Sequence, residues 1–380
     1  MKLVKAILKT LGVLMLGVFL FVVCAFMGFL VAQAVNDASK SVALFEYVLF
    51  LAGIAISFLL SIIIHESGHL IFGLLTGYKF SSFRIGNFMW IKQNGKIKFR
   101  RLSISGTGGQ CLMIPPQDKN GRVPTVLYNL GGVLMNIVFG IVCILLYIIL
   151  PSIPVFSLVL LSSAVISLIL ALSNGIPMAV GGLPNDGMNA YYLSGNKTAA
   201  LAFRNQLLMN AELAKGARIS DMPEEWFRLP EDADMKNVHC ASIAVFASNR
   251  FMDSMDFASA EAEVNKLLKS NYNIASIHRS LLTCDLVYCR LIKDGDRAEI
   301  SSLLTIPQQK FMQSMKSFPS VLRTEYAIAV IRDKNTEMAE NIKQKFDKAA
   351  KKYPYPQDAE QEERLMEYAK TVYSEVDKID

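Results

Sequence analysis

A set of long apolar runs confined to the first half of the chain limits its fold more than any other feature. Four of them, roughly Leu11–Val35, Val42–Thr76, Val126–Leu150 and Val155–Leu172, are long enough to cross a hydrocarbon core of about 30 Å. A spanning segment must satisfy its own backbone hydrogen bonds in lipid, so each run reads as a transmembrane helix. The chain of 380 residues is 52% hydrophobic and 19% charged, too apolar for a soluble protein of that size. Residues 1–190 hold 13 Lys/Arg and 5 Asp/Glu, leaving 26 and 28 for the rest. A membrane half is followed by a polar half of ordinary soluble composition. The net charge of +6 calls for no nucleic-acid partner, because the excess lies in loops beside the membrane.

The first run, preceded by Lys2, Lys5 and Lys9, has a second reading as a signal peptide, since Ala32-Gln33-Ala34 resembles a small-residue cleavage site. Its apolar stretch exceeds the usual h-region of about 7–15 residues, which favours a retained helix. The loop Gly77–Thr125 carries nine basic residues, whereas the opposite loops carry only Lys40. The positive-inside bias therefore predicts that both termini and the long loop are cytoplasmic.

The chemistry is concentrated in the second run, at Ile64-His65-Glu66-Ser67-Gly68-His69-Leu70. Residues four apart share a helix face, so both imidazoles can reach one metal ion. Glu66 is then placed to take a proton from a metal-bound water. Three ionisable groups within five residues of a membrane helix are costly and point to function. A structural metal or an inert relic is the competing reading.

A catalytic zinc needs a third protein ligand and an open position. Leu75 stands where a histidine six residues on would be, and no Asp or Glu occurs between Glu66 and Asp118. Asp118 lies in Gln117-Asp118-Lys119-Asn120-Gly121, which reads as a solvated turn. The remaining acid near membrane level is Asp186, in Leu183-Pro184-Asn185-Asp186-Gly187 just beyond the fourth run. His65 lies 23 residues from Val42, roughly 35 Å along a helix, so the pair sits toward the side where the fourth run ends. Asp186 is thus the expected third ligand, against the alternative that Asp-Gly is only a surface turn.

These motifs resemble the site-2 protease group of intramembrane metalloproteases. Ile63-Ile64-His65-Glu66-Ser67-Gly68-His69 is similar to its zinc helix, and Gly108-Gly109-Gln110-Cys111-Leu112-Met113 to its Gly-Gly strand. Leu130-Gly131-Gly132-Val133-Leu134-Met135-Asn136 resembles its middle helix, with Gly132 in place of the usual proline. Asn174-Gly175-Ile176-Pro177 followed by Asp186-Gly187 resembles the last signature, although the stretch between Pro177 and Asp186 is longer than usual. The likeness covers about residues 43–195 and implies a three-helix catalytic core, Asp186 as third ligand to one zinc per chain, and cleavage of a membrane-anchored substrate.

From the residues themselves, zinc on His65, His69 and Asp186 would lower the pKa of its water toward about 7, with Glu66 as general base and then proton donor. Asn174 is the first candidate for an oxyanion donor and Asn136 the reserve; an interhelical hydrogen bond is the alternative role for each. Phe80–Gln93 and Lys96–Ser105 read as two strands of a hairpin joined by Asn94-Gly95. That hairpin could pair with an unwound substrate, or rest its basic residues on anionic lipid.

The fold class expected is mainly α: a polytopic membrane protein with four transmembrane helices and a short cytoplasmic β-hairpin, then an all-α cytoplasmic domain. The predicted divisions are 1–42, an extra helix and outer loop; 43–195, the metalloprotease core; and 196–380, the helical domain. Amphipathic runs in the last part are Val238–Asn249, Phe251–Ser270, Ile274–Lys293, Arg297–Phe318, Val321–Arg332, Met338–Lys352 and Asp358–Val376. Their pairing suggests helical hairpins related to tetratricopeptide repeats, with a plain bundle as the alternative. The six cysteines, lacking any Cys-x-x-Cys, read as reduced. The function expected is a zinc endopeptidase acting on a membrane-anchored protein or peptide, with a protein regulator or substrate engaged by the helical domain. Remnants of signal peptides or prenylated proteins are a second substrate class, and a membrane scaffold with a vestigial metal site is the non-enzymatic alternative.

Overall fold

The computed structural model describes residues 40–102, 107–116, 123–150, 153–293 and 297–376. The run Leu11–Val35 and the acid Asp118 lie outside the described residues. By internal contacts the chain forms two compact units. The first holds the described residues up to Phe72 with Leu127–Met178 and Asn185–Ala190. The second holds Gly73–Val126, Ala179–Pro184 and the residues from Tyr191 onward.

The first unit is a bundle of three long helices: α1 (Lys40–Leu75), α2 (Thr125–Ile149) and α3 (Pro154–Gly175). Each contains a stretch long and apolar enough to cross a membrane: Tyr47–Leu75, Thr125–Ile149 and Val155–Gly175. No more than a third of the most apolar window of any span is covered by protein. The uncovered remainder is apolar, as lipid-facing surface must be, and this is an integral membrane protein. Between the helices, small residues set the spacing. A β-carbon at Gly68 would sit 2.3 Å from the Gly131 carbonyl oxygen, and one at Gly131 would sit 2.5 Å from that of Gly68. The α1 and α2 backbones therefore touch, as small residues permit in membrane helix pairs. Ser57 and Ser163 hydroxyls meet at 2.7 Å, and Ser167 donates to the Asn136 carbonyl at 2.9 Å.

The second unit combines a sheet with the helical half. The loop expected to be a hairpin is a four-stranded antiparallel sheet in the order β3-β2-β1-β4, with β1 Lys79–Ile85, β2 Phe88–Gln93, β3 Lys96–Arg101 and β4 Gly109–Ile114. Asn94 and Gly95 make the expected turn with φ of 51° and 76°. The run Phe80–Gln93 is two strands because Gly86, φ 58°, starts a second two-residue turn that pairs Ile85 with Phe88. Met89 and Ile91 on one face of β2 are buried with Leu102 and Ala214, against Phe318, Tyr353 and Tyr355.

A two-stranded ribbon, β5 (Ala179–Val180) and β6 (Leu183–Pro184), occupies the long stretch ahead of Asp186. Gly181 and Gly182, φ 59° and 80°, form its turn. α4 (Asp186–Leu193) and α5 (Lys197–Lys215) follow; Asn196 caps α5 by accepting from the Ala199 N–H. The α-helices that follow are α6 (Val238–Asp253), α7 (Phe257–Lys269), α8 (Ser276–Lys293), α9 (Arg297–Leu303), α10 (Ile306–Ser314), α11 (Pro319–Ala327), α12 (Thr336–Ala350) and α13 (Pro356–Val376). The single run expected over Arg297–Phe318 is broken where Thr305 caps α10 and Pro307 enters its first turn. The break before α7 falls at Met255, φ 58°, rather than ahead of Phe251. All five described cysteines are free and buried.

Candidate metal centre

His65 and His69 lie one turn apart on α1, and Asp186 opens α4. Asp186 is carried to them by a local clamp. The Asn185 side-chain oxygen accepts from the N–H groups of Met178 and Met188, at 3.0 and 2.9 Å. Its amide nitrogen donates to the carbonyls of Ser173 and Ile176 at 2.7 and 2.6 Å. One asparagine thus caps α4 and ties it to the end of α3. Gly187 completes the approach, since a β-carbon there would fall 2.0 Å from the Gly175 oxygen. The Asp-Gly pair is therefore a helix start pressed on another helix end, not a surface turn.

The three side chains converge. His65 Nε2 is 3.0 Å and His69 Nε2 3.4 Å from Asp186 Oδ2, and the two Nε2 atoms are 3.3 Å apart. Among the described residues this is the group of His, Cys, Asp and Glu whose ligand atoms are gathered closely enough for a metal ion. A tetrahedron with bonds of about 2.0–2.2 Å has edges of about 3.3–3.6 Å, close to the three distances observed. Asp186 Oδ2 is buried with no hydrogen-bond partner, as suits an atom reserved for a cation.

The outer ring nitrogens fix the imidazoles. His69 Nδ1 lies 2.8 Å from the Tyr128 carbonyl oxygen. A carbonyl can only accept, so Nδ1 carries the proton and the Nε2 lone pair faces Asp186. Asn136 faces His65 Nδ1 at 3.1 Å through its amide, while its other amide atom, buried, has no partner. With the amide oxygen turned to His65, Nδ1–H would donate to it and Nε2 would again be free for metal. Gly132 leaves the room: a β-carbon there would lie 2.6 Å from His65 Cε1 and 2.7 Å from each Nε2. A zinc ion fits the donor set, its supporting bonds and this clearance.

Glu66 is buried beside His65. Asn174, the first oxyanion candidate, donates its amide to the Leu170 carbonyl one turn back at 3.0 Å. Asn136, the reserve, is placed on His65. The sequence reading missed the Tyr128 carbonyl, the Asn185 clamp and the purpose of Gly132. Backbone carbonyls leave no trace in residue types, but Gly132 and Asn136 are four apart and share a helix face, which is a readable signal.

The family model described as peptidase family M50 matches residues 53–354. The chain belongs to peptidase family M50. Membership implies intramembrane metalloprotease activity, in a zinc-dependent family. The match continues through the sheet and most of the helical half, well past the stretch of about 43–195 on which the motifs lie. No curated protein and no solved structure matches the chain.

Proposed function

We propose that this M50 protein is a zinc endopeptidase that cuts a membrane-anchored protein or peptide, with His65, His69 and Asp186 holding the metal and Glu66 as general base and acid. The observation that carries the reading is the meeting of three ligand atoms at 3.0–3.4 Å from two separate helices. Zinc held there would act as a Lewis acid and make water acidic enough to ionise near neutral pH.

The protein's own groups supply the rest. Glu66, buried on the same helical turn as His65, takes the proton of the attacking water and delivers it to the leaving amine. Tyr128 and Asn136 hold the imidazoles in one tautomer. The amide of Asn136 or of Asn174 is the candidate donor to the developing oxyanion. The nine basic residues of Gly77–Thr125 favour a cytoplasmic location for that segment, the site's end of α1 and the helical half, by the positive-inside bias. The helical half would then recruit the substrate or a regulator.

Comparative membrane proteomics of cells carrying the wild type or Glu66→Gln tests this reading. The variant should retain zinc and accumulate one or a few uncut membrane proteins. An unchanged membrane proteome would count against it.

A further inference from the structure

Within the second unit, the sheet segment and the helices enclose a mostly apolar cavity of about 420 Å³, with walls that include Leu112 of β4, Met252, Ile277 and Leu281. The volume is in the range of small-molecule sites. Three aromatic rings line one end. Phe318 and Tyr353 meet edge to face with centroids 5.7 Å apart, and Tyr353 and Tyr355 likewise at 5.6 Å.

Three carboxylates also face the cavity: Asp285, Asp358 and Glu362. Two of them are committed, because the buried Arg323 guanidinium binds Asp285 at 2.5 Å and Glu362 at 2.8 Å. Asp358 has no such partner among the described residues. Burial first, then Glu362 and Asp253, push its carboxyl up to about 7. His278 lines the same space, and its buried Nδ1 has no hydrogen-bond partner. Asp358, Tyr353 and Tyr355 are only half-buried.

A cation stabilises the charged form of a carboxylate in a largely apolar chamber, and aromatic faces attract the same charge. A metal ion is a poor occupant, since these side chains do not gather their ligand atoms as the zinc trio does. We infer that this cavity binds an apolar ligand bearing one protonated amine, its ammonium held between Asp358 and the rings of Phe318, Tyr353 and Tyr355. The shared chemistry is an alkylammonium: a lysine side chain or free amino terminus of a peptide, or a small amphiphilic amine. The inference is independent of the zinc site.

Calorimetric titration of the full chain in detergent at pH 8 tests it with n-hexylammonium and the neutral hexan-1-ol. Hexylammonium should bind saturably, with hexanol at least about tenfold weaker, given the strength of charge-assisted and cation–π contacts. Asp358→Asn should weaken hexylammonium about tenfold and leave hexanol unchanged. Tyr355→Leu, which keeps the carboxylate, should weaken hexylammonium by a smaller factor. Leu-Leu-amide and N-acetyl-Leu-Lys-amide then distinguish an amino terminus from a lysine; binding of either, or of hexylammonium alone, assigns the source. Equal affinity for hexylammonium and hexanol, no saturable binding of hexylammonium, or an unaltered hexylammonium affinity in Asp358→Asn would overturn the inference.

Discussion

Gly132 on α2 faces the His65 imidazole so closely that a β-carbon would stand 2.6 Å from Cε1. No side chain fits there without moving a ring. Gly132→Ala should therefore lower zinc affinity about tenfold or more, the order expected when a ligand loses its support. Chelator competition on purified protein would measure it. An affinity equal to wild type would mean that the rings do not sit against this backbone.

Asn136 supports the other side of His65, at 3.1 Å from Nδ1. Asn136→Leu removes the amide that braces His65, and zinc affinity should fall about 10–100-fold. Asn136→Asp keeps an oxygen in place and should retain more of the affinity than Leu does. Equal losses in the two variants would indicate a packing role for Asn136.

Asp186 depends on its helix start. With the Asp186 carboxylate as third ligand, Asp186→Asn should reduce zinc to well under one per chain, because an amide binds zinc poorly. Gly187→Ala leaves the carboxylate intact but collides with the Gly175 oxygen, so it should also lose zinc, together with several degrees of thermal stability. If Gly187→Ala bound zinc normally, the observed approach of α4 to α3 would be wrong.

Asp358 makes a pH-dependent prediction for the helical half. Its carboxyl titrates at 3.8 when unperturbed and at about 7 in the fold. The native state thus binds more protons between those values, and its stability falls as pH rises from about 4 to about 7. Glu362 and Asp253 act on Asp358 in the same direction, while Arg323 is taken by Glu362 and Asp285. Asp358→Asn should match wild type below about pH 4 and melt higher than wild type at pH 8, by about 2–4 °C per kcal/mol relieved. Thermal scans at both pH values check it; a variant that melts lower at pH 8 would contradict the assignment.

Much of this was legible in residue types. His65, Glu66 and His69 are spaced for a helix face, and the scarcity of acids between Glu66 and Asp118 left Asp186, which the fold brings to both imidazoles. The runs at 42–76, 126–150 and 155–172 became α1, α2 and α3 with ends shifted by three residues or fewer. What was hidden depends on backbone geometry. The Tyr128 carbonyl has no signature in sequence, and Asn185 acts through a cap that appears only once α4 is known to start there. The hairpin was read with one turn because Asn94-Gly95 is a stronger signal than Gly86-Asn87, although both are two-residue turns. In the helical half the apolar period continued across Met255 and Thr305, where a left-handed residue and a cap end helices that periodicity alone would prolong.

Whether His65, His69 and Asp186 hold a catalytic zinc is decided by the zinc content of purified wild-type protein and of Glu66→Gln, measured by elemental analysis against protein concentration. One zinc per chain is expected in both, because a Glu66 that serves as base leaves the three metal ligands in place. Wild-type protein purified without chelator and lacking stoichiometric zinc, or Glu66→Gln that loses it while still folded, would contradict that assignment.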